Sequence, residues 1–283
     1  LPILRGYWAE LDAQGRFLLI KLVGGGFRVG VSKLLVQRAL AEAFGLDPKL
    51  VAQRMMGYTD AKTPPSAARF AALHAAQAAG DPGQPYPFFL AHALAGEPAE
   101  LGPLSDWLAE WKYDGIRAQL VRRGGQLWIW SRGEERITGS FPDLSRLLLA
   151  ISGDLVIDGE IVAGDWHHPG SFQSLQRRLN RKTPSLALMA SSPVSFLAYD
   201  LLQADGQSWR HRPLSERRAK LEEKLNPYIG ERLGISPLLV LSSWEQARLL
   251  RETSRSEGAE GLMLKAKESE YVTGRKRGVW FKW

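Results

Sequence analysis

The sequence predicts an α+β protein, with a helical N-terminal domain followed by a domain of short strands in antiparallel sheets. Apolar residues recur at helical spacing in roughly the first 80 residues. Short runs of alternating or fully apolar residues dominate the rest of the chain. Between them, residues 81–87 hold three prolines and one glycine, which is typical of a linker. We therefore expect two domains, 1–83 and 84–283.

The first domain is expected to be mainly helical. Its predicted helices are 34–44, 50–56 and 67–79. The first of them ends at Gly45, and the last is rich in Ala, which has the highest helix propensity. Residues 17–23 are apolar enough for either a strand or the buried end of a helix, and three glycines follow them.

Strands and helices are interspersed in the second domain. The predicted strands are 117–122, 127–131, 155–161, 194–199 and 262–266. The predicted helices are 142–151, 172–179 and 216–225. Strands that are interrupted by helices over this length predict an α+β domain with at least one antiparallel sheet.

Composition excludes several classes of protein. The chain has no cysteine, which excludes disulfides, thiolate metal sites and cysteine catalysis. No apolar run approaches the ~20 residues that span a bilayer, and no secretory signal pattern is present, so we expect a cytoplasmic protein. The net charge of +7 suits a polyanionic partner such as nucleic acid, although a solvated basic surface explains it equally well.

The segment 110–117, EWKYDGIR, concentrates candidate catalytic residues. A lysine is a nucleophile only when its amine is neutral, so Lys112 needs a lowered pKa, which burial or a neighbouring cation or metal supplies. Gly115 permits a tight turn or the close approach of a ligand. Asp114 is a candidate to orient Lys112 or to handle a proton or a metal, and the sequence leaves these roles open. By spacing alone, a surface hairpin is the simpler explanation of this segment.

Five further motifs accompany this segment. They are SRGE at 131–134, DGE at 158–160, FLAYDLL at 196–202, EGLMLK at 260–265 and WFKW at 280–283. Together with KYDGIR at 112–117, they resemble the ordered signature motifs of the covalent nucleotidyltransferases, which comprise DNA ligases, RNA ligases and mRNA-capping enzymes. The resemblance covers 110–283 and implies a nucleotidyltransferase, or adenylation, domain in this part of the chain.

Three features favour the ATP-dependent DNA ligases within this superfamily. EWKYDGIRAQ at 110–119 resembles them beyond the core motif, and FQSLQRRL at 172–179 is similar to a helix of bacterial and archaeal-type DNA ligases. GGFRVGVSKL at 25–34 resembles the loop-to-helix segment of their helical DNA-binding domain. The resemblance implies that Lys112 takes AMP from ATP, that the AMP passes to the 5′-phosphate of a nick, and that the 3′-hydroxyl displaces it. Such enzymes serve DNA replication, repair and recombination.

The resemblance also implies how the phosphates of ATP are held. Charge grows on the phosphoryl oxygens during the attack by Lys112, so cations must lie there beforehand. Lys265 and Lys282 are the candidate cations, together with Mg²⁺ or Mn²⁺. Glu160 and Glu260 are the expected metal ligands, because Mg²⁺ prefers oxygen donors.

Other residues would contact the nucleoside and the nick. The resemblance implies that Arg117 and Glu160 contact the ribose and that Glu110 contacts the adenine amino group. Tyr199 would stack on the adenine face, with an ordinary core tyrosine as the alternative. Arg132 would bind the 5′-phosphate of the nick through its planar, bidentate guanidinium.

Basic residues outside the motifs are candidates for DNA contacts. The DNA-binding candidates are Arg28, Ser32, Arg177, Arg178, Arg181 and Lys182. The four in and after helix 172–179 are able to meet phosphates, or they form a solvated face. Ser32 is expected to cap a helix whose N-terminus follows glycines, which is a natural phosphate site, although an ordinary capped helix explains this segment as well.

Two alternatives stay open. One is another enzyme of the superfamily, either an RNA ligase or a GTP-using capping enzyme. The other is a non-catalytic nucleic-acid-binding module of the same fold. The presence of Lys112, Asp114, Glu160 and Glu260 argues against the second alternative, because a decayed site has no physical reason to keep all four.

The sequence departs from the family at its last motif. The family has two lysines separated by one residue there, and this chain has Lys282 alone. The OB-fold domain that follows in these enzymes is expected to lie outside the 283 residues, so we expect them to accept AMP but to seal nicks poorly. A monomer of bacterial type, associated with the nucleoid through nicked DNA, is the expected form of the enzyme.

Overall fold

The computed structural model describes residues 2–24, 30–56, 64, 66–75, 82–179 and 181–283. The chain divides into two compact units, Leu1–Pro48 and Lys49–Trp283. The predicted division into domains 1–83 and 84–283 stays a prediction, as does the assignment of the first domain to DNA binding. No helix within the described ranges is long and apolar enough to cross a membrane.

Helices form the described part of the first unit. They are α1 (Pro2–Glu10), α2 (Ala13–Val23) and α3 (Lys33–Phe44). Asp12 caps α2 by accepting a hydrogen bond from Gly15 N (2.7 Å), so residues 17–23 are helical. α3 agrees with the predicted helix 34–44, and Gly45 ends it in the left-handed conformation (φ 62°).

Further helices lie in the second unit or begin at its boundary. They are α4 (Pro48–Arg54), α5 (Ala67–His74), α6 (Pro142–Leu148), α7 (Phe172–Leu179), α8 (Leu186–Ser191), α9 (Leu214–Leu225) and α10 (Trp244–Glu252). Short 3₁₀ turns occur at Pro98–Leu101, Leu104–Asp106, Thr138–Ser140 and Asn226–Tyr228. α5 is shorter than predicted because Ala75 is extended (φ −61°, ψ 137°), and residues 76–80 lie outside the described residues. α6 also ends earlier than predicted, whereas α7 has the predicted bounds.

The strands of the second unit include all five predicted ones. In chain order they are β1 (Phe89–Leu90), β2 (His92–Ala93), β3 (Trp107–Tyr113), β4 (Ile116–Arg123), β5 (Gln126–Ser131), β6 (Leu155–Asp165), β7 (His168–Gly170), β8 (Val194–Ala204), β9 (Gln207–Ser208), β10 (Leu233–Ile235), β11 (Ala259–Ala266), β12 (Gly274–Arg275) and β13 (Trp280–Lys282). β6 and β8 are longer than predicted, because the sequence pattern gave no clear end to their apolar runs.

Two sheets dominate this unit. The larger has the order β10-β8-β6-β4-β5, with β7 on β6 and β9 on β8. Its pairs are antiparallel except for β10 with β8. The smaller sheet has the order β2-β13-β11-β3, in which β11 is antiparallel to both of its neighbours. β1 and β12 form a separate parallel pair. The prediction of an α+β fold with antiparallel sheets is confirmed.

The two faces of the larger sheet pack on different cores. Ile157 of β6 lies in one core cluster with Leu144 of α6 and Leu175 of α7. Its neighbour Val156 lies in a second cluster with Trp280 of the smaller sheet. Because side chains alternate along a strand, positions 158 and 160 share the face of Val156, toward the smaller sheet.

Candidate active site

Two facing sheets supply the candidate site. On the larger sheet, Asp158 and Glu160 of β6 share the face toward the smaller sheet. On the smaller sheet, Glu110 of β3 pairs with Met263 of β11, and Met263 pairs with Lys282 of β13. Directly paired residues on adjacent strands place their side chains on one face, so these three form a row across the sheet.

Lys112, the predicted nucleophile, lies near the end of β3 with 29% of its side chain exposed. Its ammonium forms an ion pair with Glu260. Burial is the main reason that the pKa of Lys112 falls below its usual value, and the Glu160 carboxylate opposes this effect. The cations Lys282 and Arg132 lower the pKa of Lys112 further. A lowered pKa is the direction that a nucleophilic lysine requires.

A bulge in β11 brings Glu260 to Lys112. Between two paired positions β11 has one more residue than β3, which leaves Glu260 and Gly261 outside the regular ladder. Gly261 has a φ of 150°, and a Cβ at this position would lie 2.3 Å from the carbonyl oxygen of Trp283. Glycine is therefore required at position 261. The backbone conformation of Gly261 determines how Glu260 is oriented in the bulge.

Arg117 of β4 and Asp158 of β6 form a bidentate ion pair. Arg117 Nε donates to Oδ1 of Asp158 (3.2 Å), and Nη2 donates to Oδ2 (2.7 Å). The hydroxyls of Tyr199 and Tyr271 donate to Oδ1 (3.3 Å) and Oδ2 (2.6 Å) respectively. Asp158 is fully buried. The sequence had placed Arg117 and Tyr199 in the site, but not the carboxylate that joins them or Tyr271.

Tyr199 reaches the site from a second bulge. It lies unpaired on β8 between Ala198 and Asp200, both of which pair with β6. An extra residue of this kind re-aims a side chain next to a site. The Lys265 ammonium lies 4.3 Å from the centroid of the Tyr199 ring, so the two side chains form a cation–π contact.

The carboxylate of Glu110 lies buried between two cations. Arg218 Nη1 donates to Glu110 Oε1 (2.9 Å), and Lys265 forms an ion pair with Oε2. Only 2% of the Lys265 side chain is exposed. The sequence assigned Glu110 to the adenine and Lys265 to the phosphates, and the structure brings the two into direct contact. Arg218, on the buried face of α9, was not predicted as a site residue.

The carboxyl group of Glu160 has a pKa well above the usual value of a glutamate. Burial raises the pKa of Glu160 to about 8, despite the opposing charges of Arg117 and Lys112. Gly115, in the turn between β3 and β4, approaches it closely: a Cβ there would lie 2.7 Å from Glu160 Cγ and 2.5 Å from the carbonyl oxygen of Ile161. Gly115 thus allows this turn to pack against β6.

Arg132 and Asp114 complete the group around the nucleophile. Both side chains are exposed. Both are close enough to affect Lys112: the Arg132 cation lowers its pKa and the Asp114 carboxylate raises it, each less than burial does. The structure therefore gathers the predicted catalytic and nucleotide-contacting residues into one region of the second unit.

The carboxylates of this region suit Mg²⁺. Within the described part of the chain no group of three or more His, Cys, Asp and Glu side chains is placed to hold a metal ion. Mg²⁺, however, keeps several waters and takes one or two carboxylates together with substrate phosphates. Glu160 and Glu260 both act on Lys112 and supply two such carboxylates.

The prediction that Arg178 contacts DNA is wrong. Arg178 is fully buried and forms an ion pair with Asp143, while its Nη1 donates to the carbonyl oxygen of Ser192 (3.0 Å). The physical reason is helical spacing, because Arg178 lies one turn after the buried Leu175 on α7 and shares its inward face.

The other DNA-binding candidates are placed differently. The exposed ones are Arg177, Arg181 and Lys182. Ser32 accepts a hydrogen bond from Leu35 N (3.3 Å), so it caps α3 as predicted. Arg28 lies outside the described residues.

Comparison with known proteins identifies the family. Residues 90–283 match the family described as "ATP dependent DNA ligase domain". The chain is 32% identical to a probable DNA ligase of Opitutus terrae, covering 100% of this chain and 34% of that protein. It is 32% identical to a DNA ligase of Methanocorpusculum labreanum, covering 95% of this chain and 48% of that protein.

A solved structure agrees with these relatives. A mycobacterial DNA ligase D complexed with ATP and MES is 29% identical, with a TM-score of 0.56, over 69% of this chain and 59% of that one. The chain spans half or less of the length of the two curated relatives. None of these proteins favours a capping enzyme, an RNA ligase or a non-catalytic module. The chain belongs to the family of ATP-dependent DNA ligases.

Proposed function

We propose that this chain carries the catalytic centre of a DNA ligase that seals 5′-phosphate/3′-hydroxyl nicks in duplex DNA with ATP. The observation that carries the proposal is the setting of Lys112. Its amine is partly buried, its pKa is lowered, and cations and carboxylates surround it on two facing sheets. This is the arrangement that a lysine nucleophile attacking a polyphosphate needs.

The first step transfers AMP to the protein. The neutral Nζ of Lys112 attacks the α-phosphorus of ATP and forms an N–P bond. The bond from that phosphorus to the bridging oxygen breaks, pyrophosphate leaves, and the amine loses a proton to solvent. Lys282 and Arg132, whose charges lower the pKa of Lys112, are proposed to stabilise the charge on the phosphoryl oxygens.

Glu160 and Glu260 are the residues that would hold Mg²⁺ in this centre. The bound metal neutralises phosphate charge as a Lewis acid. Burial raises the pKa of Glu160 to about 8, which disfavours its ionised form in the free protein. A cation beside it favours the ionised form, so binding there is coupled to release of a proton.

The nucleoside is proposed to lie between the two sheets. Tyr199 stacks on the adenine, Glu110 accepts from its amino group, and Arg117 and Glu160 contact the ribose. In the free protein the Lys265 ammonium contacts the face of the Tyr199 ring and forms an ion pair with Glu110. We infer that the nucleotide displaces Lys265 from these partners and that its ammonium then meets the phosphates.

Two DNA steps follow. The 5′-phosphate of the nick, held by Arg132, displaces Lys112 from the AMP, and the 3′-hydroxyl then displaces AMP to form the phosphodiester. The exposed Arg177, Arg181 and Lys182 would contact the phosphate backbone, which supplies affinity that falls with salt. Arg28 and Ser32 are proposed as a further contact, and the enzyme is proposed to act as a monomer in the cytoplasm, at the nucleoid.

Intact mass after incubation with ATP and Mg²⁺ tests the first step. We expect the chain to gain one AMP that is acid-labile and is removed by pyrophosphate. Lys112→Ala should gain none, whereas Lys220→Ala, at a partly buried lysine of α9 that pairs with Glu223, should behave as the parent. Labelling by GTP in place of ATP, or undiminished labelling of Lys112→Ala, would contradict the proposal. Sealing of a nicked duplex by the pre-adenylated protein tests the later steps.

A further inference from the structure

The Asp158 carboxylate connects strands of the larger sheet with the segment that follows β11 of the smaller sheet. Arg117 and Tyr199 reach it from β4 and β8 of the larger sheet. Tyr271 reaches it from the segment between β11 and β12, and its hydroxyl forms the shortest of these hydrogen bonds (2.6 Å). Tyr271 is thus the connection between Asp158 and the part of the chain that carries Glu260 and Lys265.

The direction of the Tyr271 hydrogen bond is fixed by its other neighbours. Its oxygen accepts from Phe89 N (3.2 Å) and from Gln119 Nε2 (3.4 Å). Gln119 is itself oriented, because its Oε1 accepts from Tyr86 N (2.9 Å) and its Nε2 donates to Tyr86 O (2.9 Å). Since both neighbours of the hydroxyl oxygen are donors, the Tyr271 proton must go to Asp158.

Arg117 depends on Asp158 for its orientation. Its guanidinium lies 5.3 Å from the Phe88 ring centroid and 5.9 Å from that of Tyr199, with 16% of the side chain exposed. Nε and Nη2 are bonded to Asp158, and no described residue accepts a hydrogen bond from Nη1. Arg117 therefore keeps a donor for a ligand, and the plane of that donor is set by the Asp158 carboxylate.

We propose that Tyr271 is a positioning residue, which holds Asp158 so that Arg117 presents its free guanidinium edge to the ribose hydroxyls of ATP. The inference rests on the proposed function, in which Arg117 contacts the ribose. Without the Tyr271 hydroxyl, one oxygen of a buried carboxylate loses its shortest hydrogen bond, and Phe89 N and Gln119 Nε2 lose an acceptor. Asp158 then turns toward its remaining donors, and Arg117 turns with it.

Two matched variants test the role of the hydroxyl. Tyr271→Phe removes it, and Tyr86→Phe removes a hydroxyl from the same core cluster that bonds Gln203 (3.1 Å) and does not touch Asp158. For lysine adenylation by Tyr271→Phe, we expect KM for ATP to rise roughly tenfold, which is the loss of about one charge-assisted hydrogen bond, with little change in kcat. Tyr86→Phe should keep the KM of the parent.

2′-Deoxy-ATP separates positioning from a general loss of structure. The parent and Tyr86→Phe should prefer ATP to 2′-deoxy-ATP, whereas Tyr271→Phe should lose most of that preference, because Arg117 no longer meets the ribose hydroxyl. A variant that is merely less stable would bind both nucleotides worse and would keep the ratio. An unchanged ratio in Tyr271→Phe overturns the proposal.

A measurement without nucleotide distinguishes this inference from the proposed function. The Nε–H of Arg117, bonded to Asp158, gives an assignable NMR signal whose exchange with water reports how firmly the pair is held. Exchange should be several times faster in Tyr271→Phe than in Tyr86→Phe. Equal exchange rates refute the positioning role even if the parent is adenylated. Faster exchange supports it even if the role of Lys112 were wrong.

Discussion

Lys112 of β3 and Glu260 of β11 form an ion pair at the candidate site, with 29% and 47% of their side chains exposed. The proposed nucleophile is therefore held by a carboxylate that is also a proposed metal ligand. If Glu260 turns to the metal when ATP binds, the amine of Lys112 is left near Lys282 and Arg132, which favour its neutral form. An ion pair with a carboxylate favours the charged form of a lysine, so we expect Lys112 to leave Glu260 before it acts as a nucleophile.

The pH dependence of adenylation should reveal this environment. The rate should rise with pH as Lys112 loses its proton, with a midpoint below the usual pKa of lysine because burial, chiefly, and Lys282 lower it. In Lys282→Met the midpoint should move to higher pH, since one neighbouring cation is gone. The maximal rate should fall by roughly 10²-fold, because charge on the phosphate loses a partner. Rapid-quench rates of AMP transfer across the pH range provide the measurement.

The matched control for that experiment is Lys220→Met. Lys220 lies on α9 and pairs with Glu223 rather than with the site. Its removal should leave both the midpoint and the maximal rate unchanged. A midpoint that stays the same, or moves to lower pH, in Lys282→Met would show that the two lysines do not interact as the structure indicates.

Variants of two buried carboxylate–guanidinium pairs test whether an effect on activity is distinct from an effect on stability. Asp158 pairs with Arg117 in the site, and Asp200 pairs with Arg217, where both side chains are completely buried. Asp158→Asn and Asp200→Asn should each lower the free energy of unfolding by about 3–5 kcal/mol, because each leaves a buried arginine without its counter-charge. Urea denaturation measures this loss.

Only one of the two changes should affect chemistry per folded molecule. Below the unfolding transition, Asp158→Asn should reduce the rate of adenylation at limiting ATP, since Arg117 loses its orientation. Asp200→Asn should retain the parental rate. Similar activity losses in both variants would indicate that the Asp158 pair acts through stability alone.

The candidate site residues were predicted from the resemblance of the motifs to a family, and local patterns predicted some of the strands that carry them. The strands carrying Asp158 and Lys265 were predicted because apolar runs and turn residues mark them within a few positions, whereas β3, which carries Lys112, was not among the predicted strands. The bulges at Gly261 and Tyr199 were not, because a bulge depends on the register between two strands and leaves no mark on either one alone.

Residues that act across the fold were missed for a related reason. Arg218 meets Glu110 across 108 positions, and Tyr271 meets Asp158 across 113, so no local spacing connects them. Arg178 was misassigned although the signal was present. Arg178 lies one helical turn after Leu175, and this spacing indicates burial more strongly than the basic composition of the segment indicates exposure.

Adjacent arginines on α7 should respond oppositely to removal. Arg177 is exposed, so Arg177→Ala should leave stability within about 0.5 kcal/mol of the parent and weaken binding to nicked duplex DNA. The slope of log affinity against log salt should also fall by about one unit. Arg178→Ala should instead cost about 3–5 kcal/mol of unfolding free energy, since it removes a fully buried side chain that bonds the carbonyls of Ser140 and Ser192 and leaves Asp143 paired with Arg232 alone. A large effect of Arg178→Ala on the salt slope would contradict its structural role.

Glu160 should make the stability of the free protein depend on pH. Its pKa is about 8 in the folded state, and an unfolded glutamate titrates near its usual value. Below that usual value both states are protonated and stability is full. As pH rises toward about 8, the unfolded state ionises first, so the free energy of unfolding should fall by a few kcal/mol. Above about pH 8 it should level off.

Glu160→Gln, which does not titrate, should lack this decline, whereas Glu223→Gln, at an exposed carboxylate of α9, should keep it. Parallel stability curves for the parent and Glu160→Gln, from urea denaturation between about pH 5 and about pH 9, would mean that Glu160 is ionised in the folded protein.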